Sequence, residues 1–180
     1  MICKRLFSGE SGCAIRGPKL SMIAAVDDRM GLASGGRIPW DVAGDRQFFR
    51  ARTMGQSLIM GRRTFESLGG RVLDGRYCAV LSHGVVPVPE AWPSGTIFVA
   101  RDLSSALAWC AARSDVVYVA GGGAVYRQAM MLADEIWLSR IGGDYRCDLF
   151  FPEIPQDFRR VGTEAHDGFD VEHWGRCFSD

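Results

Sequence analysis

One carboxylate in this sequence stands at the head of a helical aromatic pattern. In "DRQFFRARTM" (45–54), Asp45 and Phe49 are four residues apart and share a helix face, with Phe48 beside them. If that face lines a pocket, the carboxyl sits in partly apolar surroundings. Its pKa then rises, and it can manage a proton near neutrality or grip a cationic amidine-like edge through two hydrogen bonds. The alternative is a helix cap, for which Asp is an ordinary choice.

Glycine carries the second pattern. "LIMGRRTFESL" (58–68) and "VYVAGGGAVYRQAM" (117–130) each pass from an apolar run through Gly61, or through Gly121, Gly122 and Gly123, straight into a helical run. A helix start offers free N–H groups and a positive dipole end, and glycine lets a phosphate approach the backbone. Arg62 and Arg63 fit such an anion, and without one the dipole end repels them. Tight turns alone would account for either glycine junction taken singly. Neither G-x-G-x-x-G nor G-x-x-x-x-G-K-[ST] is present.

The elements that must position these residues alternate. Apolar runs at 20–26, 57–61, 77–82, 96–100, 116–120 and 135–141 read as strands buried on both faces. Helical patterns occupy 45–54, 62–68, 102–112 (capped by Asp102 or Ser104) and 124–132. Residues 27–44 form a long Gly-rich loop of the kind that is usually functional. This order predicts one α/β domain with a largely parallel sheet, and the tail from Phe158 predicts an antiparallel edge hairpin. In such sheets ligands bind beyond the carboxyl ends of the strands.

Composition narrows the classes. Lys plus Arg equals Asp plus Glu at 21 each, so no global field recruits nucleic acid. The apolar runs are too short to span a bilayer, and a cytoplasmic enzyme is expected. The six cysteines and three histidines lack zinc-site spacing, and the cysteines read as buried free thiols. Residues 1–18 form a polar extension without the apolar core of a signal peptide, and the domain occupies 19–180.

From about Lys19 onward the chain resembles dihydrofolate reductase. The matching stretches are "MIAAV", "MGLASGGRIPWDVAGDRQFFR", "LIMGRRTFESLG", "LDGRYCAVLS", "VYVAGGGAVYRQAM", "EIWLSRI" and "DLFFPEIP", in order and at fitting separations. The resemblance implies a mixed, mainly parallel eight-stranded sheet with four flanking helices, and a monomer that reduces 7,8-dihydrofolate with NADPH. It makes Asp45 the acid that holds the pterin and promotes its protonation. Pro39 and Trp40 match the loop over the site, with Ile38 beside the nicotinamide. Phe49, Leu68 and Leu73 match apolar walls, and Arg76 the partner of the substrate's glutamate carboxylate. Ile23 and Ala120 would offer carbonyls to the pterin, and Tyr126 and Ser139 complete its polar edge. For the cofactor it implies Ala25, Gly61, Arg62, Arg63, Thr64, Ser82, His83, Gly121, Gly122, Gly123, Ala124 and Val125. His83 reads equally well as an exposed loop histidine.

Three departures from the family pattern stand out. Arg46 replaces a usually apolar neighbour of the substrate, Ala120 is smaller than the usual Ile or Val, and Ser139 replaces Thr. A Gln at the Arg46 position is familiar from some mobile, antifolate-insensitive bacterial reductases, so antifolate inhibitors are expected partners with reduced affinity. Rival readings are a pyrimidine reductase of riboflavin synthesis on a related fold, and a catalytically silent folate- or nucleotide-binding protein.

Overall fold

The computed structural model describes residues 17–87 and 93–177; most of the polar extension, 1–16, lies outside them. The elements run β1 (Lys19–Val26), β2 (Gly31–Ala33), α1 (Ala43–Thr53), β3 (Ser57–Gly61), α2 (Arg62–Ser67), β4 (Tyr77–Leu81), β5 (Ile97–Ala100), α3 (Leu103–Ala111), β6 (Val116–Val119), α4 (Gly123–Ala129), β7 (Glu135–Ile141), β8 (Leu149–Phe150), β9 (Phe158–His166) and β10 (Phe169–Arg176).

Eight strands form one sheet in the order β5-β4-β3-β6-β1-β7-β10-β9. Pairing is parallel from β5 to β7 and antiparallel for β7, β10 and β9. The continuous apolar runs become strands because helices cover both faces. On one face Met22, Ala24, Ile59 and Val119 pack with Ala106 and Cys110 of α3 and Val125 and Ala129 of α4. On the other, Ile23, Leu58, Met60 and Trp137 pack with Phe65 of α2 and with Phe48 and Phe49 of α1.

The long loop holds an element that was not expected. β2 and β8 form a second, two-stranded sheet, pairing Gly31 with Phe150 and Ala33 with Leu149. Strands this short carry no readable alternation. The final strand, β10, pairs with both β7 and β9, with a bulge between His173 and Trp174 against β9. Its partner β9 buries only Phe158, so the edge hairpin lacks a strong apolar signature. Of the described cysteines Cys78 and Cys110 are buried, Cys147 is half-buried and Cys177 is exposed, so the expectation of buried thiols fails for the last. It follows the last residue of β10, outside the sheet.

Candidate active site

β1 and β6 run side by side only to Met22 and Val119, whereas β1 stays paired with β7 as far as Val26 and Arg140. Beyond Ile23 the sheet therefore opens on one side of β1, at the carboxyl ends of its parallel strands. The chain passes from β6 to β7 by crossing β1 through α4, which makes this a topological switch point of the kind that binds ligands.

Helix α1 lies over the opening. Its N-cap is Val42, which makes no side-chain cap bond. Asp45 therefore sits inside the first turn and is not the cap. The side chain is half-buried, with Ser139 of β7 close by. Burial pushes its carboxyl above the usual carboxylate range, and the Ser139 hydroxyl opposes part of that rise. The far end of α1 is pinned by Arg52, whose guanidinium lies 3.2 Å from the centre of the Trp137 ring. His173 stacks on that indole at 3.8 Å and meets Glu135 at 2.8 Å. Anchored at both ends, α1 holds its acid over the gap.

Apolar side chains pack beneath α1 on this face of the sheet. Ile23, Ala25, Trp40, Phe49, Leu73 and Ala120 fall in one cluster with Val42, Phe48 and Tyr145. Trp40 is buried with its ring edge-on to Tyr145 at 5.3 Å. Ile38 and Leu68, by contrast, are exposed and stand at the rim. The Tyr126 hydroxyl donates to the Ile23 carbonyl at 2.7 Å. That leaves the carbonyl one lone pair for a ligand. Burial, then the nearby Asp45 carboxylate, pushes the Tyr126 hydroxyl up, so it stays a donor at physiological pH.

At the other end of α1's exposed flank, Arg76 is buried and donates to Asp74 O at 3.1 Å and to Thr53 Oγ1 at 3.2 Å. It has no carboxylate ion-pair partner among the described residues. Burial and then the Arg50 guanidinium push its pKa down, so two cations converge here. Thr53 and Arg50 escaped the sequence reading because the Arg76 contact spans two distant segments. A shallow cavity of about 250 Å³ adjoins, lined by residues 71–76 with Pro93 and Thr96.

The two glycine junctions are neighbours. Gly61 N–H donates to Gly121 O at 2.8 Å. A Cβ at Gly61 would lie 3.2 Å from Val125, at Gly122 3.2 Å from Thr64 Oγ1, and at Gly123 2.9 Å from Leu149. Gly121 has φ +109°, and its peptide bond to Gly122 is cis. The glycines thus have steric reasons within the protein itself, and a ligand is not needed to explain them. What faces outward is the donor set: Arg62, Arg63 and Thr64 of α2, with Ser82 and exposed His83 at the end of adjacent β4. Arg62 pairs with Glu66 at 2.6 Å and leans over Gly84, whereas Arg63 has no ion-pair partner among the described residues. Ala124 is exposed and Val125 buried.

Arg46 forms an ion pair with Asp41, and both side chains are exposed. Among the described residues no cluster of His, Cys, Asp and Glu could hold a metal, and no helix is long and apolar enough to cross a membrane.

The family model described as dihydrofolate reductase matches residues 19–177. Dihydrofolate reductase type 6 of Proteus mirabilis is 36% identical over 147 residues, covering 82% of this chain and 90% of its own. Dihydrofolate reductase type 15 of Escherichia coli is 34% identical over 146 residues, covering 81% and 89%. The solved structure of dihydrofolate reductase from Enterococcus faecalis complexed with NADP(H) and RAB-propyl superposes with a TM-score of 0.76 at 26% identity, covering 88% of this chain and 96% of that one. Sequence and fold agree with the cleft beneath α1, and the chain belongs to the dihydrofolate reductase family.

Proposed function

We propose that this protein reduces 7,8-dihydrofolate to 5,6,7,8-tetrahydrofolate with NADPH. The observation that carries the reading is Asp45, a half-buried carboxylate that burial holds above the usual carboxylate range, on the helix whose Phe48 and Phe49 join the apolar cluster, with Ser139 close by. Such a group can accept hydrogen bonds from an amidine-like pterin edge and favour a proton on it.

The cofactor residues fit a polyanionic dinucleotide by their donor chemistry. Arg62, Arg63, Thr64, Ser82 and His83 present cations and hydroxyls on neighbouring strand ends, with Glu66 the one acid in α2. Arg62, Arg63 and Thr64 would hold the adenosine phosphates, the 2′-phosphate among them, with Ser82 and His83 beside it, and the Gly121–Val125 turn the pyrophosphate. Ala25 and Ile38 would flank the nicotinamide. NADPH, when bound, supplies a hydride. The chain's own part is orientation and field. The Trp40 loop excludes water, Phe49, Leu68 and Leu73 wall the pterin and aminobenzoyl groups, and the Ile23 and Ala120 carbonyls orient the pterin amino group. Asp45, with Ser139 and Tyr126, polarises the pterin so that it takes a proton. Arg76, with Arg50 behind it, would pair with the glutamate carboxylates.

The same reading has the enzyme acting as a cytoplasmic monomer that binds diaminopyrimidine antifolates weakly. Loss of NADPH absorbance on adding dihydrofolate tests the reaction directly. Consumption that does not depend on dihydrofolate, or that requires a pyrimidine substrate instead, would replace it.

A further inference from the structure

The carboxylate of Asp27, the residue after β1, is 1% exposed and plays no part in the chemistry above. It is nonetheless fully engaged. Oδ1 accepts the N–H of Arg29 at 2.9 Å and of Gly31 at 2.7 Å, closing the turn that opens the long loop. Oδ2 accepts the N–H of Tyr145 at 3.2 Å, from a segment far along the chain. The Cys147 side chain packs beside it. Gly31 is where this packing is tightest, since a Cβ there would fall 2.4 Å from Cys147 Cβ and 2.8 Å from Asp27 Oδ1. Asp28 adds a second stitch between the same segments, accepting Gly143 N–H at 2.8 Å.

We propose that Asp27 is a positioning residue for the loop that carries Ile38 and Trp40, acting through Tyr145. The carboxylate fixes the root of that loop with one oxygen and, with the other, the backbone of the residue whose ring supports Trp40 at 5.3 Å. Only a carboxylate serves both ends, because each donor needs an acceptor and a buried group left unpaired is costly. An Asn presents one oxygen and one amide NH2. Keeping its oxygen on Arg29 and Gly31 would set N–H against N–H at Tyr145. Asp27→Asn therefore releases Tyr145 while leaving the turn closed. That the loop covers the reacting rings rests on the function proposed above.

The test reads the loop and turnover separately. With 5-fluorotryptophan incorporated, the Trp40 19F resonance (assigned through Trp40→Phe) should shift or broaden in Asp27→Asn, with Trp109 and Trp174 unchanged and no ligand added. Well below the melting temperature, kcat/KM for dihydrofolate should fall between about ten- and a hundredfold, the scale of a small misplacement remote from the chemistry. Tyr145→Ala should reproduce both effects, and the double variant should be no worse than either single one. A Trp40 resonance unmoved in Asp27→Asn would overturn the proposal, whatever the variant's stability or activity. A moved resonance in a protein without dihydrofolate reduction would uphold the clasp and overturn the function instead.

Discussion

Gly61 donates its N–H to the Gly121 carbonyl at 2.8 Å, joining two strand-to-helix junctions into one surface. Gly61 has φ −76°, which any residue adopts, whereas Gly121 has φ +109°. Gly61→Ala must only nudge Val125 by a few tenths of an ångström, but Gly121→Ala adds backbone strain and crowds Tyr126 at 3.3 Å. Gly61→Ala should cost less than about 1 kcal/mol in urea titration and Gly121→Ala more than about 1 kcal/mol. Equal losses would mean that the two turns are not distinguished by backbone conformation.

Asp45→Asn should keep the fold yet lose on the order of 100- to 10,000-fold in turnover near neutral pH, with partial recovery in acid as solution protonates the substrate. Stability should move the other way. Because burial raises the folded pKa of Asp45, ionising it opposes folding. That cost is absent below the unfolded pKa, grows as pH rises towards the folded value, and persists above it. Asp45→Asn should therefore melt at or above the parent temperature at pH 7. A variant that melts lower while turning over normally would identify Asp45 as a structural group.

Arg62 and Arg63 are adjacent in sequence and differ in state. Arg62 is already paired with Glu66; Arg63 has no ion-pair partner among the described residues. Neutralising Arg63 should raise KM for NADPH more than neutralising Arg62 does, by up to the 1.5–3 kcal/mol or so of one charge-assisted bond. KM for NADH should change little in either. Equal losses for the two cofactors would remove the phosphate assignment.

How far the sequence carried this picture depends on the range of each signal. The strand-helix alternation and the acid–aromatic helix are local patterns, and α1, with Asp45 on its inner face, lies where they place it. The glycine runs were legible as close approaches, but their neighbours Val125, Thr64 and Leu149 come from three elements and could not be read locally. The same holds for Tyr145 against Trp40 and for Arg50 and Thr53 beside Arg76. β2 and β8 are too short for periodicity, and β9 is exposed on both faces, so neither leaves an apolar signature. Ile38 and Leu68 belong to motifs, yet their exposure depends on a loop path that no motif encodes.

Arg76 should be specific for the acidic tail of the substrate. Its buried guanidinium is fixed by Thr53 and Asp74 and repelled by Arg50, an arrangement that favours an anion. Arg76→Lys keeps the charge but loses the fork, so KM for dihydrofolate should rise by an order of magnitude or so, with kcat preserved. A pteridine substrate lacking the glutamate should be indifferent to the change. If both substrates suffer alike, Arg76 supports the fold and not the tail.

Arg46 is where the expectation from sequence and the observed contact diverge. A free guanidinium at the pocket edge would repel a cationic diaminopyrimidine, and Arg46→Leu would then relieve that repulsion. In the structure Arg46 is paired with Asp41, so its charge is offset by a carboxylate and does not stand alone. Both side chains are exposed, and such pairs are worth about 0–1 kcal/mol. Either single substitution uncovers the other charge. Arg46→Leu should tighten a trimethoprim-like inhibitor because Asp41 is left unpaired, and Asp41→Asn should weaken it because Arg46 is. Each change in inhibition constant should stay within about fivefold, shrink in high salt, and cancel in the double variant. Tightening by a hundredfold or more in Arg46→Leu, with Asp41→Asn silent, would show that Arg46 abandons Asp41 and meets the inhibitor directly.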